Sequence, residues 1–542
     1  MSAPGREWWR DAVVYQVYVR SFASSGERGG GPGIGDLPGI TSRLPYLRDL
    51  GVDAVWITPF YTSPQHDHGY DVADYLDVDR LFGTLDDADD LIARAHELGL
   101  RVIVDLVPNH TSDEHAWFRA ALAAGPGSPE RARYLFRDGR GADGSEPPNN
   151  WRSVFGGPAW TRVPDGQWYL HLFDTTQPDL DWRNPEIGDM FEAVLRFWLD
   201  RGADGFRVDV AHGLVKEASL RDQEMPPGTE GRDPNRVREE SMVARTDFDE
   251  PMWDQPETHD VYRRWHRVLA DYDGDRMDVA EAWARTPEAI AAYVRPDEMQ
   301  QAFNFLWLLA GWSAQEFADV VTSTFAAMDP VGASPTWVLS NHDVVRHVTR
   351  YGGGAQGLAR ARAATLTMLA LPGSSYHYQG EELGLEQVDV APEDRQDPSW
   401  FRTGEVGRDG CRVPVPWSGD APPYGFGPGT LQPWIPQPLD WAGLTVQAQT
   451  GVEGSTLELY RAALAARREL PAVDAVDVRV EADVLVVERG DVTVVLNCGT
   501  TEVPLPEGEL LLASGPVDAA GGVAGSLPPD TAVWLRPAGR SR

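Results

Sequence analysis

The sequence contains one lysine, Lys216, and two cysteines, Cys411 and Cys498. We attribute the shortage of lysine to coding bias and assign it no function. Two widely separated cysteines are too few for a disulfide framework, so reduced thiols and a cytoplasmic location are expected. No apolar run approaches the ~20 residues needed to cross a bilayer, and the first residues lack the pattern of a secretory signal peptide. No membrane association is therefore expected.

Positive charge is also scarce. The chain has 48 Lys and Arg against 83 Asp and Glu, for a formal net charge of −35. A polyanion would be repelled at long range, so we expect no nucleic acid partner and favour a small neutral substrate. With 542 residues, 42% of them hydrophobic, the chain can bury a large core and is expected to form two or three domains. The oligomeric state does not follow from composition.

Short apolar runs alternate with amphipathic stretches, which is typical of βα units around a parallel sheet. Between the second and third run, Thr84 can cap a helix over 84–99, where apolar residues recur at helical spacing. The eight candidate strands predict an α/β fold, for which a closed (β/α)8 (TIM) barrel is the natural arrangement; they cover residues 12–19, 54–58, 102–107, 205–210, 278–282, 302–305, 336–340 and 374–378.

Two long segments interrupt this alternation. Residues 108–174 are rich in Gly, Pro and Trp with little helical periodicity, which predicts a small inserted domain after the third strand. Residues 213–256 follow the fourth strand and predict a loop over the site. After a helix over 456–470, apolar residues alternate with polar ones, as in an antiparallel sheet. We therefore expect a barrel from 1–107 and 175–472, the inserted domain 108–174, and a C-terminal β domain 473–542.

Three carboxylates stand at the ends of predicted strands: Asp209 in GFRVDVAHG, Glu281 in DVAEAW and Asp343 in WVLSNHD. Acids brought together from separate strand ends suit cleavage of a glycosidic bond through a covalent intermediate. Arg207 shares a strand face with Asp209 and would hold it ionised as a nucleophile; a structural ion pair is an equal alternative. Glu281 lies beside Trp283, an apolar ring that would raise its pKa for general acid catalysis.

His342 and Asp343 end the seventh strand, where they could bind adjacent sugar hydroxyls. A carboxylate there can favour distortion of the sugar towards an oxocarbenium-like transition state. Metal ligation is the competing interpretation, because His110, His342, Asp209 and Asp343 are ligand types. Their spacings match no compact metal motif, so we expect no metal and no cofactor.

Taken together, six ordered motifs resemble those of the α-amylase superfamily, glycoside hydrolase family 13, in its α-glucosidase and oligo-1,6-glucosidase branch. The resemblance extends over roughly residues 12–420 and implies a (β/α)8 barrel, a small domain inserted after strand 3 and a C-terminal β domain. The motifs are DLVPNH, QPDLDW, GFRVDVAHG, AEAW, SNHD and YQGEELG.

By this resemblance Asp209 is the nucleophile, Glu281 the acid and base, and Asp343 the transition-state stabiliser of a retaining double displacement. The resemblance also implies that Asp67 and Arg408 pair at the closed end of a pocket that admits one terminal glucose. Arg412 lies nearby, and an exposed loop pair is the alternative for the two arginines. The remaining residues implied to contact sugar are Tyr70, His110, Phe173, Arg207 and His342.

Some positions depart from the family pattern. Many relatives hold a calcium or magnesium ion in an Asp/Asn-rich loop, but the corresponding ASSGERGGGPGIGD keeps Asp36 and replaces most other acids, so no ion is expected there. Asp181 stands where relatives often have Asn. Val210 resembles the α-1,6 type of this branch, whereas the 213–256 connection resembles bacterial α-glucosidases that take maltose. We favour short α-1,4 glucosides such as maltose.

Three alternatives remain at this point. Oligo-1,6-glucosidase activity fits Val210, and an isomerase of the trehalose synthase or sucrose isomerase type would use the same three acids. A catalytically inactive transporter heavy chain is disfavoured, because those chains carry a membrane span and lack a complete set of acids.

Overall fold

The computed structural model describes residues 7–26, 33–229, 231–234, 236–237, 248–429, 432–517 and 525–536. Several predicted segments fall partly outside these ranges. Residues 1–6 and 430–431 of the predicted barrel segments, and residues 518–524 and 537–542 of the predicted C-terminal β domain, are not described. Residues 27–32 of the loop before Asp36, and residues 230, 235 and 238–247 of the 213–256 connection, are not among the described residues. Asp36 itself caps a helix, because its Oδ1 accepts a hydrogen bond from the Gly39 N–H (2.7 Å).

The predicted barrel is confirmed. Eight parallel strands close on one another in chain order, and every strand pairs with its neighbours in sequence. Apolar side chains fill the interior, among them Trp56, Ile103 and Phe303. The barrel strands, numbered 1 to 8 below, are Val13–Val17, Ala54–Ile57, Arg101–Leu106, Gly205–Val208, Met277–Ala280, Gln301–Asn304, Thr336–Val338 and Ser374–Tyr378.

Helices surround this barrel. The predicted helix after strand 2 runs over Leu85–Glu97, and Thr84 and Asp87 form a reciprocal capping box at its start. Its buried residues Ala88, Leu91 and Ile92 lie on one face. The other main helices are Leu37–Leu50, Ala116–Ala124, Pro185–Asp200, Thr258–Leu269, Pro287–Tyr293, Ala314–Met328, Gly354–Ala370 and Thr456–Arg467, and shorter ones are Val19–Phe22, Phe305–Leu309, His347–Arg350, Pro398–Thr403 and Val446–Gln449.

Between strand 3 and the helix Pro185–Asp200 lies a three-stranded antiparallel sheet formed by Phe136–Asp138, Trp160–Arg162 and Gln167–Leu170. The segment also contains the helix Ala116–Ala124, which the sequence analysis did not expect. That helix buries only Phe118 and Ala121, too few positions to give a strong helical pattern. An antiparallel pair, Tyr61–Thr62 and Asp74–Val78, flanks the turn that carries Asp67 and Tyr70.

The C-terminal region is an antiparallel sheet, as expected. It packs against the helix Gly354–Ala370, where Trp534 Nε1–H donates to the Leu366 carbonyl (3.0 Å) and Arg489 Nη1–H to that of Ala370 (3.0 Å). These donors satisfy carbonyls near the helix end. In sheet order the strands are Asp477–Glu481, Val484–Arg489, Val492–Asn497, Thr531–Arg536 and Glu509–Ala513, with Val503–Pro504 and Ser526–Leu527 pairing separately.

Two kinds of feature are absent from the described ranges. No helix there is long and apolar enough to cross a bilayer. Nor does that part of the chain contain three or more His, Cys, Asp or Glu side chains placed to hold a metal ion.

Two buried aspartates near the barrel differ in their surroundings. Asp278 in strand 5 is 1% exposed, and its Oδ1 has no hydrogen-bond partner among the described residues; burial raises its pKa to about 8. Asp204 is equally buried but binds Arg101 (2.8 Å) and Arg276 (2.7 Å). Although burial opposes its charged form, His96 and the Val102 N–H, among other partners, hold the pKa of Asp204 below its usual value.

We expect Asp278→Asn to reduce the loss of stability at alkaline pH. A raised carboxyl pKa contributes stability that is fully present below the unfolded pKa and is lost as pH rises through the folded value of about 8. Melting temperatures at about pH 6 and about pH 9 should therefore differ less for the variant than for the parent. Asp204→Asn is the control of opposite sign and should lower the melting temperature at neutral pH. Equal alkaline losses in the parent and Asp278→Asn would contradict this account.

Candidate active site

The three predicted acids lie beyond the carboxyl ends of strands 4, 5 and 7 and line one cavity. Two of them extend the hydrogen-bond ladder of the barrel by one step: the Asp209 N–H donates to Leu106 O (2.8 Å) and the Glu281 N–H to Val208 O (2.9 Å). Rigid sheet therefore sets the position of both backbones. This edge of a (β/α)8 barrel is where active sites form.

Arg207 lies beneath two of these acids and is 1% exposed. Its Nη1–H donates to Asp209 Oδ1 (2.8 Å), and its Nη2 lies 3.3 Å from Glu281 Oε2. Asp105, on the neighbouring strand and directly opposite Arg207 in register, accepts from the same Nη1 (2.9 Å). One buried guanidinium thus contacts three carboxylates. Arg207 is not among the residues lining the cavity and lies behind two acids that are.

Arg207 does not alone determine the charge of Asp209. Burial raises the pKa of Asp209 well above its ordinary value, and although Arg207 lowers it, Glu281, Asp105 and Asp343 raise it further. Burial also raises the pKa of Glu281, with Arg207 opposing and Asp343 adding to the rise. The expectation for Glu281 is therefore confirmed in direction. As expected, Arg207 favours the charged form of Asp209, but burial and three neighbouring carboxylates oppose it, so the net shift of the pKa of Asp209 is upward.

Glu281 is held by two donors. Trp283 Nε1–H donates to Oε1 (2.8 Å) and the Val210 N–H to Oε2 (2.8 Å). Trp283 was expected to raise the pKa of Glu281 as an apolar ring, but its N–H lowers that pKa and burial supplies the rise. Val210 has φ +47, a left-handed conformation that is rare for a β-branched residue. This strained backbone directs its N–H at Glu281.

Asp343 lies in the most cationic part of the site. Its Oδ1 accepts from Arg408 Nη1–H (2.9 Å) and Arg412 Nη2–H (2.9 Å), and its Oδ2 lies 3.2 Å from His342 Nε2. Burial opposes ionisation of Asp343, but His342 and the two arginines hold its pKa well below the usual range. Tyr70 stacks on His342 with ring centroids 5.3 Å apart. Asp343 is therefore the acid of the three whose charged form is most favoured.

Arg408 closes one end of the cavity by contacting three carboxylates at once. Besides Asp343, it donates from Nη2 to Asp67 Oδ1 (2.8 Å) and from Nε to Asp397 Oδ2 (2.6 Å). Its guanidinium lies 5.0 Å from the centre of the Phe155 ring. The predicted contact between Asp67 and Arg408 is present, and Arg412 is fully buried, so the alternative of an exposed arginine pair is wrong.

The cavity has a volume of about 300 Å³, at the lower end of the range for small-ligand sites. Nine of the ten predicted site residues line it, and Arg207 lies directly behind. Its wall combines carboxylates with aromatic rings, an arrangement that offers hydrogen-bond acceptors to hydroxyls and flat surfaces to sugar rings. The lining residues are Asp67, Tyr70, His110, Val154, Phe155, Phe173, Asp209, Val210, His212, Trp253, Glu281, Trp283, His342, Asp343, Val344, Ser399 and Arg408.

Lys216 lies at the junction of three segments behind His110. Its Nζ donates to Asn109 Oδ1 (2.7 Å) and the Gly213 carbonyl (2.6 Å), and lies 2.7 Å from Asp179 Oδ2. The Asn109 amide in turn donates to His110 Nδ1 (3.1 Å). Burial lowers the pKa of Lys216 and lowers that of His110 to about 4, so the histidine is neutral near pH 7. The single lysine therefore has a structural position that composition did not indicate.

Sequence reasoning missed two buried acids. Asp105 is part of DLVPNH and its place on strand 3 could have shown that it faces Arg207. Burial raises the pKa of Asp105 to about 6. Asp397 precedes Pro398 in a typical helix start, where its Oδ1 accepts from the Ser399 N–H (2.9 Å), but nothing in that pattern indicates its contact with Arg408.

Comparison with known families gives matches along most of the chain. The model described as "Alpha amylase, catalytic domain" matches residues 16–475. A second model, "Domain of unknown function (DUF3459)", matches residues 468–534, which contain most of the C-terminal sheet.

Individual relatives and solved structures agree. A probable alpha-glucosidase of Rhizobium meliloti is 40% identical over 87% of this chain and 84% of its own length, and the oligo-1,6-glucosidase of Parageobacillus thermoglucosidasius is 34% identical over 86% and 84%. The alpha-glucosyl transfer enzyme XgtA has TM-score 0.87 at 37% identity, covering 98% of this chain and 100% of its own. The trehalulose synthase MutB of Pseudomonas mesoacidophila has TM-score 0.85 at 30% identity, covering 98% of this chain and 100% of its own.

Acids at the ends of barrel strands, the Arg408 contacts and these matches lead to one assignment. The chain belongs to the alpha-amylase catalytic-domain family, glycoside hydrolase family 13, and is a glycoside hydrolase of its alpha-glucosidase and oligo-1,6-glucosidase branch.

Proposed function

We propose that this protein is a retaining, exo-acting α-glucosidase that releases terminal glucose from short α-1,4 glucosides such as maltose. The observation that carries the proposal is the closed end of the cavity, where Arg408 binds Asp67, Asp343 and Asp397. A chain passing through the site would have to break these contacts. A single terminal ring can instead enter from the open side and bring its anomeric carbon to the acids.

In this proposal Asp209 attacks the anomeric carbon while Glu281 protonates the departing glycosidic oxygen. A glycosyl–enzyme ester forms, and Glu281, now a carboxylate, removes a proton from the water that attacks it. Two inversions return the original α configuration. Contact of both carboxylates with the Arg207 guanidinium supports the close spacing that a nucleophilic mechanism needs.

The mechanism requires one proton on the pair before reaction, and it must lie on Glu281. Burial raises the pKa of both acids, which favours keeping a proton on the pair. Arg207 contacts Asp209 at 2.8 Å but Glu281 at 3.3 Å, so the stronger charge-assisted hydrogen bond stabilises the Asp209 anion. In the proposal the proton is therefore on Glu281.

Asp343 supplies charge and not a proton. Its pKa is held low by His342 and the two arginines, so it remains anionic while positive charge develops on the sugar ring. A fixed anion is stabilising only as that charge appears, which lowers the energy of the transition state more than that of the bound substrate. Asp67 and His342 are placed to bind the hydroxyls of the same ring.

Two features bear on which glycosidic linkage is cleaved, and they favour different linkages. Val210 resembles the α-1,6 type, whereas the 213–256 connection resembles that of maltose-hydrolysing enzymes, and the relatives include Maltase 1 of Drosophila virilis at 36% identity. We favour α-1,4 bonds on the second ground. Glucosyl transfer is the second candidate function, because the structural relatives XgtA and MutB are named as a transfer enzyme and a trehalulose synthase.

Product analysis tests the proposed function. Incubation with maltose should yield free glucose. Because maltose also releases its reducing-end unit as a mixture of anomers, retention is followed with an aryl α-glucoside, from which proton NMR in the first minutes should show the released glucose as the α-anomer before mutarotation. Isomaltose and sucrose should be consumed more slowly than maltose. Release of the β-anomer would overturn retention, and conversion of maltose to trehalose, or of sucrose to an isomer, would replace hydrolysis with transfer.

Substitution of the acids should separate their roles. Asp209→Asn should reduce kcat by about a thousandfold or more on every substrate, since no nucleophile remains. Glu281→Gln should lose much less on an aryl α-glucoside with an acidic phenol than on maltose, because such a leaving group needs little protonation. Circular dichroism confirms folding of both variants. Equal losses of Glu281→Gln on the two substrates would argue against its assignment as the acid.

The pH profile tests the buried network. Asp105 raises the pKa of Asp209, so Asp105→Asn should lower that pKa and shift the acidic limb of kcat/KM to lower pH by about 0.5 to 1 unit. Asp204→Asn is the matched control, since it removes an equally buried carboxylate that pairs with Arg101 and Arg276 away from the cavity. The Asp204→Asn variant should be less stable than the parent, but neither the acidic nor the alkaline limb of its kcat/KM profile should shift. An unchanged acidic limb in Asp105→Asn would refute the electrostatic role of Asp105.

A further inference from the structure

The short helix Pro398–Thr403 follows strand 8 in the chain and borders the cavity through Ser399. It is anchored at its start by Asp397, which also accepts from Arg408 Nε–H (2.6 Å). Residues three apart lie on the same side of a helix, so Arg402 projects on the side that carries Ser399. The helix therefore directs Arg402 towards the segments that carry Phe155 and Phe173.

Arg402 makes two short hydrogen bonds to the opposite wall and a longer one, from Nη1–H to the Phe173 carbonyl (3.5 Å). Its Nη1–H donates to Asp174 Oδ1 (2.7 Å) and its Nη2–H to the Gly156 carbonyl (2.9 Å). Asp174 directly follows Phe173, and Gly156 directly follows Phe155. Both phenylalanines line the cavity, and their ring centroids lie 5.9 Å apart. One guanidinium thus holds the two backbone segments that carry the aromatic wall.

The helix and this wall are in close contact. Gly156 has φ +88, and a Cβ added there would lie 2.5 Å from Thr403 Cγ2, so only glycine allows the approach. The side chains of Arg402 and Asp174 are 19% and 14% exposed. Arg402 and Thr176 lower the pKa of Asp174 although burial opposes them, so the carboxylate stays charged and paired. By contrast, in the neighbouring ion pair the side chains of Arg236 and Glu405 are 69% and 61% exposed, so this pair contributes little to stability.

We propose that Arg402 is a specificity-determining residue that fixes the width of the cavity mouth and thereby limits the length of the donor. It acts as a positioning residue, since it reaches substrate only through the Phe155 and Phe173 segments. The inference rests on the proposed function, in which the terminal glucose lies at the closed end and the remaining units extend through the mouth. A mouth narrowed by Arg402 admits the second ring of a disaccharide more readily than a longer chain.

The test compares maltose with maltotetraose in Arg402→Ala. We expect the ratio of kcat/KM for maltotetraose to that for maltose to rise by about threefold or more, because loss of both short hydrogen bonds lets the aromatic wall move away from the helix. Arg236→Ala removes an exposed arginine that pairs with Glu405 close to the same helix and should leave the ratio unchanged. Donor consumption is measured along with released glucose, so that an enzyme that transfers glucose is scored in the same way.

Two further variants test whether the hydrogen bonds of Arg402 limit the length of the donor. Asp174→Asn should raise the ratio in the same direction, and Arg402→Lys should give an intermediate value, because lysine lacks the planar fork that reaches both acceptors. Equal loss on both donors with a lowered melting temperature would show a merely structural role and overturn the proposal. If the parent consumes maltose without releasing glucose, the proposed hydrolysis fails, yet the ratio of donor consumption still decides the role of Arg402.

Discussion

The buried Arg207 guanidinium is the interaction on which the rest of the site depends. The guanidinium is itself buried and meets Asp105, Asp209 and Glu281, so removing it would leave three carboxylates without their shared cation. Such a charge cluster is tolerated only because the barrel holds its members in fixed register. Burial and the neighbouring carboxylates raise the pKa of both Asp209 and Glu281. The proton that the proposed mechanism requires is therefore favoured by the group of acids together and not by one residue.

Arg408 and Arg412 form the second centre of charge. They neutralise Asp67, Asp343 and Asp397, which come from segments far apart in the chain. In the proposed mechanism Arg207 contacts the two acids that react, and Arg408 contacts acids that hold the terminal ring. His342 and the arginines around Asp343 favour its charged form, whereas burial raises the pKa values of Asp209 and Glu281.

Much of this arrangement was predictable from sequence, for physical reasons. Parallel barrel strands are buried on both sides and appear as apolar runs, so all eight were found, and acids following such runs had to meet at one edge. Contacts made by side chains between distant segments leave no periodic signal. The fold alone therefore reveals the contact of Asp397 with Arg408, the N–H that Trp283 donates to Glu281, and the burial of Lys216.

The burial of Lys216 has a practical consequence. Since it is the only lysine in the sequence and is 1% exposed, reagents that acylate lysine have no accessible side-chain target on the folded protein. Its amine would become reactive only when the segments carrying Asn109, Gly213 and Asp179 separate. The rate at which Lys216 is acylated would therefore measure how often this junction behind His110 opens. A single amine, placed by the fold, serves as a built-in reporter of local unfolding beside the active site.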